Sequence, residues 1–373
     1  MAVLAAGAIA ASAGKTDTLN APAHTAAVVN QAAGKSAVPI APAIDTFLMK
    51  NPAKSPDTET IGSRYIRIQL ADSSKSAAAY AGEYNRLVSA VSGALDSGTR
   101  MNGAAFMDRL LDIEGSDLHM VVGAPSSGLL SEALRTGLFG DETAAILDLD
   151  VAGKLGIGMR PLFVPGQVLL RAENSYFETS SGSSGSMADI RSRYPVMDTA
   201  AGPERLLAMA CCRQGMAYAD RARARRMKEP GQAAGDFGLA LDACRRAIAL
   251  DTSYASAYCE LGNVYIGMKQ LQPAIDAYTQ AIAHDSAYAD AYYQRGNAHV
   301  RSHFFIWAAK DYGQAVRLFE RAIRLDPQNA QALTLKRADA AARLDLSRKA
   351  DSCTANDSPG LDSAIGRMNR LVQ

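Results

Sequence analysis

Apolar, aromatic and small residues recur at a fixed spacing in the C-terminal half of the chain. In the stretch 255–288, ASAYCELGNVYIGMKQLQPAIDAYTQAIAHDSAY, they fall at helical intervals on two segments, which predicts two amphipathic helices joined by a turn. Small residues let the two helix backbones approach, and aromatic residues fill the space between units. Each of the following pairs has the same separation of thirty-four positions: Tyr258 and Tyr292, Gly262 and Gly296, Asn263 and Asn297, and Ala247 and Ala281.

Further copies of this unit flank it, each with extra residues. The following copy contains Tyr292, Gly296, His299, Ala315, Phe319, Ala322 and Asp326–Pro327. Because the separation of Ala274 and Ala315 exceeds the period by seven positions, we place seven extra residues around 301–308. The preceding copy contains Gly215, Tyr218, Ala240, Ala247 and Asp251. The separation of Gly215 and Gly262 exceeds the period by thirteen positions, which places thirteen extra residues around 221–233. An amphipathic stretch from Ala330 to about Leu346 is expected to cap the last copy.

The period and the residue types resemble the tetratricopeptide-repeat family. The resemblance implies an all-α solenoid over 203–346, in which the first helix of each repeat lines a concave groove that binds peptides. The inward positions would be Cys212, Met216 and Ala219, then Cys259, Asn263 and Ile266, then Tyr293, Asn297 and Val300. Asn263 and Asn297 are expected to hydrogen-bond a peptide backbone. The alternative is a solenoid docked against its own N-terminal domain, with no free groove.

The Lys and Arg set of the family members that clamp a carboxylate is missing. Cys212 and Cys259 stand at the Lys-type positions of that set. A chaperone C-terminal tail is therefore not the expected ligand.

The region before the repeats shows mixed periodicity. Alternation of Ile66, Ile68 and Leu70 with polar residues predicts a short strand. Helical spacing predicts two helices over 77–111 with a break near Ser97–Gly98, and a further helical stretch over 129–155 broken around Gly137–Gly140. The segment RPLFVPGQVLLRAENSYFETS predicts two or three strands, divided at 165–166 and 173–174, and SSGSSGS (180–186) predicts a flexible loop.

Residues 130–195 resemble the core of bacterial transglutaminase-like proteins. The matching segments, in order, are the helical stretch from LLSEALRTGLFGDETAA to LGIG, then VPGQVLLR (164–171), YFETSSG (176–182) and ADIRSRYPV. The resemblance implies an α+β (papain-like) fold over 62–198 with a Cys–His–acid triad. Its Cys, His and acid positions fall at Asp141, Gln167 and Glu178. Thiolate catalysis needs a thiol and a base within hydrogen-bond reach. The implied domain is therefore degenerate and non-catalytic.

Three other interpretations of this region stay open. The match can be a coincidence of a helix and a Pro-Gly turn. In the second interpretation, Asp141, Glu142 and Glu178 form a carboxylate cluster for acid–base chemistry or for binding a metal. Asp and Glu also favour the first turn of a helix, and this preference explains the carboxylates without such a site. The third is an enzyme acting on amide bonds, related to transglutaminases or cysteine proteases, whose triad is misaligned. It is disfavoured because no Cys precedes Cys211.

Composition and charge limit the kinds of binding partner and site that the chain is expected to have. The chain has 373 residues and a formal net charge of +1, so it carries no global field for nucleic acid or membranes. The five cysteines include no C-x-x-C pair, so neither a metal site nor a disulfide framework is expected, and Cys211 and Cys212 are predicted to be buried free thiols. A basic run, Arg221, Arg223, Arg225, Arg226 and Lys228, suggests an anionic surface as a third kind of partner.

The N-terminal segment 1–60 is rich in Ala and resembles a secretory signal followed by a flexible linker, without a charged first segment. Our sequence-based hypothesis therefore has four parts: a signal-like segment (1–60), a transglutaminase-like domain (62–198), the repeats with their cap (203–346) and a tail (347–373). The expected function is a non-catalytic scaffold that binds proteins or peptides through the repeats. It would be exported from a bacterium, or cytoplasmic if the first segment is not a signal, and would need no cofactor.

Overall fold

The structure of the protein is a computed structural model. It describes residues 38–52, 59–70, 74–96, 101–122, 129–164, 167–179, 183–193, 201–325 and 330–352, together with 363 and 366–367. Residues from Lys35 to Gln373 form one compact unit. No helix among the described residues is long and apolar enough to cross a membrane. Of the predicted signal-like and flexible segment 1–60, residues up to 37 lie outside the described residues. The predicted flexible linker is wrong for Pro42–Lys50, because these residues form a helix that buries Ile44, Phe47 and Leu48.

The first part of this unit is mainly helical, with a small sheet. Its helices are α1 (Pro42–Lys50), α2 (Ile61–Gln69), α3 (Ser74–Leu95), α4 (Gly103–Asp112), α5 (Leu130–Thr136), α6 (Asp141–Lys154) and α7 (Met187–Arg193). A π-helical turn, Ile113–Asp117, follows α4. Its strands are β1 (Val121–Val122), β2 (Leu138–Phe139), β3 (Met159–Val164), β4 (Gln167–Ala172), β5 (Ser175–Phe177) and β6 (Ser184–Ser186). Strands β1 and β2 form a parallel pair.

The strand predicted over Ile66–Leu70 is wrong, because this segment is part of helix α2. Thr60 and Ser63 form a reciprocal capping box at its N-terminus. The Asp150 carboxylate adds to this cap by accepting hydrogen bonds from the backbone N–H groups of Ile61 and Gly62, each at 2.8 Å. The tertiary contact thus fixes a helix where local alternation favoured a strand.

The other sequence-based expectations for this region are largely confirmed. Helices α3 and α4 flank the predicted break at Ser97–Gly98, which itself lies outside the described residues. Gly137, with a φ of +76°, ends α5 as predicted. Strands β3, β4 and β5 form at the expected positions. The predicted loop 180–186 is corrected in part, because Ser184–Ser186 pairs with β5.

The four strands β3 to β6 form an antiparallel meander with two covered faces. Phe163, Val168, Leu170 and Phe177 belong to the main core, which also contains Ile146 and Leu147 of α6. Leu162, Val164, Leu169 and Tyr176 form a separate small core with Met187 and Ile190 of α7. Helix α6 therefore covers one face of the sheet and α7 covers the other.

The second part is a stack of helical hairpins. They are α8 (Pro203–Arg225) with α9 (Pro230–Leu250), α10 (Ala255–Gly267) with α11 (Leu271–His284), and α12 (Ala289–Arg301) with α13 (Phe305–Leu325). The predicted cap is present as α14 (Ala330–Ser352), which packs against α13. The chain therefore carries tetratricopeptide-like helical repeats.

The seven extra residues of the last repeat lie at a different place from the one predicted. The Tyr278 ring packs against Gly262, and the Tyr312 ring packs in the same way against Gly296. These pairs keep the repeat period unchanged through Tyr312, so no insertion occurs around 301–308. Instead, α13 continues seven residues beyond the position that matches the end of α11. The thirteen extra residues of the first repeat do lengthen the α8–α9 hairpin, because Gly215 packs against Cys244.

One hydrophobic core connects the two parts. It contains residues of α1 to α6 and of the sheet, together with Leu206, Leu207 and Cys211 of α8 and Ala257 of α10. The Glu142 carboxylate at the start of α6 accepts hydrogen bonds from Nε and Nη2 of Arg213 on α8, the first at 2.9 Å. The repeats thus begin on a surface supplied by the N-terminal region. The domain boundaries at 62, 198, 203 and 346 remain predictions.

Candidate functional site: the concave face of the repeats

The predicted groove residues differ widely in exposure. Met216 is 45% exposed, and Asn263, Ile266, Tyr293 and Asn297 are half-buried. The remaining members, Cys212, Ala219, Cys259 and Val300, are buried. Only the first group can touch a ligand without rearrangement, so the reachable surface is narrower than the period alone predicted.

A hydrogen bond repeated in two repeats positions the two asparagines. The Tyr278 hydroxyl donates to Asn263 Oδ1 at 2.8 Å, and the Tyr312 hydroxyl donates to Asn297 Oδ1 at 2.7 Å. Both tyrosines are buried, and burial raises their pKa, so the hydroxyls stay protonated. We call these two bonds the Tyr–Asn ladder. In each of the two repeats, it joins the first helix to the second helix at equivalent positions.

The ladder changes what the asparagines can offer to a peptide. Their carbonyl oxygens already accept from tyrosines, and their Nδ2 atoms donate to Glu260 Oε2 (3.1 Å) and Gln294 Oε1 (2.9 Å) one helical turn earlier. An amide nitrogen carries two hydrogens. Asn263 and Asn297 therefore each keep one N–H for the predicted hydrogen bond to a peptide backbone. Asn263 Oδ1 also keeps one lone pair, whereas Asn297 Oδ1 accepts a second hydrogen bond from Arg343.

Helix α14 contacts the predicted groove residues of α12. Arg343 is buried, donates to Asp339 Oδ2 at 2.8 Å and to Asn297 Oδ1 at 3.1 Å, and lies over the Tyr293 ring with its Cζ 5.3 Å from the ring centroid. The Tyr293 hydroxyl donates to Asp339. Arg343 does not stand out in the sequence, because the cap helix shares no residue pattern with the repeats.

Charged side chains follow the same helices. Glu260 on α10 is half-buried, and burial raises its pKa, while Asn263 and Arg223 of α8 act in the opposite direction. On α12, Asp290 accepts from Lys336 Nζ of α14 at 2.8 Å. Arg301 at the end of α12 has its pKa lowered by burial and by the nearby guanidinium groups of Arg343 and Arg226. The face therefore presents both signs of charge.

The basic run 221–228 is largely engaged in local ion pairs. Arg221 and Arg225 contact the Asp236 carboxylate of α9 at 2.6 and 3.1 Å, and Arg223 pairs with Asp220. These contacts hold the pKa of Asp236 below its usual value, Arg221 contributing most. These ion pairs stabilise the long α8–α9 hairpin. Binding of the basic run to an anionic surface stays a prediction.

The four described cysteines, Cys211, Cys212, Cys244 and Cys259, are buried free thiols, as predicted for the first two. Burial raises the pKa of Cys211 and of Cys244 to about 12. They pack as small apolar side chains and stay protonated.

The proposed triad positions are not brought to one side of the sheet. Gln167 is paired with Val164, so both side chains point to the face covered by α7. Asp141 opens α6, which covers the other face. Glu178 lies directly after β5, and its backbone N–H donates to the Ser183 carbonyl. The transglutaminase-like fold is not confirmed by this arrangement.

The alternative carboxylate cluster is divided as well. Glu142 binds Arg213, whereas the pKa of Asp141 is raised by burial and by Glu142, with Arg213 acting against it. Among the described residues, no group of three or more His, Cys, Asp or Glu side chains has the geometry for a metal ion.

Comparison with known proteins supports the repeats. Residues 255–287 match the tetratricopeptide-repeat family model. No curated protein matches the chain.

Among solved structures, a crystal structure of MamA is 29% identical to this chain, with a TM-score of 0.23. The match covers 33% of this chain and 72% of the MamA chain. A second MamA crystal structure is 23% identical, with a TM-score of 0.25, and the match covers 45% of this chain and 80% of the MamA chain. The second tetratricopeptide-repeat domain of human RPAP3, solved by NMR with the HSP70 peptide SGPTIEEVD, is 24% identical, covering 36% and 96%, with a TM-score of 0.22.

Proposed function

We propose that this protein is a non-catalytic scaffold that binds a peptide segment of a partner protein on the concave face of helices α8, α10 and α12. The Tyr–Asn ladder carries the proposal. Because Asn263 and Asn297 are held by equivalent tyrosines, two successive repeats present their first helices in the same geometry. Regularly spaced helices of this kind form an extended binding surface. Met216 and Ile266 supply reachable apolar contacts along it.

The chemistry of the face favours an extended peptide of mixed charge. Glu260 offers a half-buried carboxylate, and Arg301 a half-buried guanidinium one repeat further on. Partly buried charges bind opposite charges more strongly than exposed ones, because less water screens them. The buried thiols Cys212 and Cys259 occupy the positions where carboxylate-clamp members carry Lys-type residues. The proposed ligand is therefore an internal segment of a protein.

The test starts from peptides selected on the full-length protein from a displayed random library, with binding measured by fluorescence anisotropy. Met216→Glu and Glu260→Lys should each weaken the selected peptides at least about tenfold, since each places an unfavourable group on the face. The matched control is Gln280→Lys, on the exposed side of α11. Binding that is unchanged by both face variants, or weakened equally by the control, would contradict the proposal.

The N-terminal region enters the proposal as a rigid base for the first repeat. This role is supported by the shared core and by the Glu142–Arg213 ion pair. A more specific form of this proposal is that the N-terminal region is a degenerate transglutaminase-like domain whose cleft holds a peptide. The order of the matching sequence segments supports it. The position of Gln167 on the sheet face opposite to α6 weighs against it. Turnover of a peptide amide or glutamine substrate by the purified chain would refute the non-catalytic role.

We further propose export to the periplasm or medium of a bacterium, on the basis of the Ala-rich N-terminal segment alone. Cell fractionation with N-terminal sequencing of the mature protein tests this. An uncleaved protein confined to the cytoplasm would contradict it.

A further inference from the structure

The start of helix α13 carries an exposed apolar surface. Phe304, Ile306 and Trp307 are 51%, 54% and 56% exposed, and with His303 and Phe305 they line a cavity of about 290 Å³. We call this the Trp307 surface. Large apolar side chains grouped on the outside of a folded protein are typical of a contact site.

The repeat geometry shows that the fold itself does not require these side chains. The equivalent residues of the middle repeat, one period earlier, are Gln270, Gln272 and Pro273. The turn is the same in both repeats: His303 and its counterpart Lys269 both adopt a positive φ, of 61° and 62°. Lys310, with its Nζ 4.5 Å from the Trp307 ring centroid, and His299, whose ring centroid lies 6.4 Å from that of Trp307, cover part of the indole. The apolar character is therefore a specific addition to the last repeat.

The chain itself supplies a segment that fits this surface. The last turn of α14 borders the cavity through Ala350 and Asp351, and residues 353–373 follow from there. Their sequence places Leu361, Ile365, Met368 and Val372 at intervals of four, three and four. On a helix with about 100° per residue, these four fall within a sector of about 60°, opposite Arg370.

We propose that residues 361–372 bind the Trp307 surface of the same molecule as an amphipathic helix. The connecting residues 353–360 can span up to roughly 27 Å, and a twelve-residue helix is about 18 Å long, so the reach is sufficient. Attachment beside the cavity gives the segment a high effective concentration, which favours it over a second molecule. The apolar stripe of the tail then covers Phe304, Ile306 and Trp307.

The test uses the fluorescence of the full-length protein, because Trp307 is the sole tryptophan of the chain. In the wild type, a covered indole should emit at shorter wavelength and resist acrylamide. The tail variant Ile365→Asp/Met368→Asp should shift the emission to longer wavelength and raise the quenching constant about twofold. Arg370→Asp, on the polar side of the same segment, is the matched control and should leave both unchanged.

A second variant set tests the contact from the other side. Phe304→Gln/Ile306→Gln installs the residues of the middle repeat and should expose Trp307 to the same degree. Combined with the tail variant, it should add no further quenching, because both remove one contact. Identical emission and quenching in the wild type and the tail variant would overturn the proposal. Protection of Trp307 that grows with protein concentration would also overturn it, since the occupant would then be a second copy.

Discussion

Substituting Gly262 tests whether close contact between helices defines the repeat. A Cβ atom at this position would lie 2.5 Å from a carbon of the Tyr278 ring, about 1 Å inside ordinary contact. The ring cannot swing away freely, because it is fully buried and its hydroxyl donates to Asn263 at 2.8 Å. Gly262→Ala should therefore strain the hairpin of α10 and α11.

The magnitude follows from two opposing contributions. Replacing a helical glycine by alanine stabilises a helix by about 0.5–1 kcal/mol. Overpacking a well-filled core by one carbon costs about 1–3 kcal/mol, and loss of the tyrosine hydrogen bond adds about 0.5–1.5 kcal/mol. We expect Gly262→Ala to lower the free energy of unfolding by about 1–3 kcal/mol.

The matched control is Gly235→Ala in α9, where an added Cβ meets nothing within 4 Å. This variant should raise the free energy of unfolding by about 0.5–1 kcal/mol. Urea unfolding followed by circular dichroism measures both. A stabilising Gly262→Ala, equal to Gly235→Ala, would refute the argument, because it would show that the Tyr278 ring does not pack on this glycine.

Two further predictions concern buried charges. Burial raises the pKa of Asp148 to about 7, and it raises that of the adjacent Glu114 as well, so the folded protein retains a proton that the unfolded chain releases near pH 4. Stability should fall by roughly 2–4 kcal/mol between pH 4 and 7, and urea unfolding of Asp148→Asn across this range should show a smaller fall. Arg213→Met leaves the Glu142 carboxylate buried without its ion pair. It should lower the free energy of unfolding at pH 7 by about 1–3 kcal/mol, which is less than for a fully buried ion pair because Arg213 is partly exposed to solvent. Combining it with Glu142→Gln should restore part of this loss in thermal unfolding, and an equally unstable double variant would contradict the argument.

The repeat period was readable in the sequence, whereas the register of the last repeat was not. Alignment by small residues matched Ala274 with Ala315 and implied an insertion. The structure instead matches Ala274 with Ala308 and Tyr278 with Tyr312. The signal that could have revealed this was the separation of the two tyrosines, which equals the period. Alanine is too common in this chain to fix a register, while a buried tyrosine needs both a glycine to pack on and an acceptor for its hydroxyl.

The candidate groove was predicted by position, but its reachable part was decided by tertiary packing. Met216 stays exposed, whereas Cys212 and Cys259 at neighbouring inward positions are buried. Arg343 contacts Asn297 from a helix outside the repeat pattern. Periodicity gives the direction of a side chain on its own helix, but coverage depends on which other helix lies against it.

The sequence by itself determined the helical hairpins, the thirteen-residue extension of the first repeat, the strands β3 to β5 and the burial of Cys211 and Cys212. These features follow from local spacing, because helices and strands have fixed periods and small residues mark close approach. Only the tertiary structure decided that Ile66 lies in a helix, that Gln167 faces α7, and that one core joins the first repeat to the N-terminal region. Each of these depends on partners far away in the chain, such as the Asp150 carboxylate at the start of α2. Such partners leave no trace in the local pattern of apolar and polar residues.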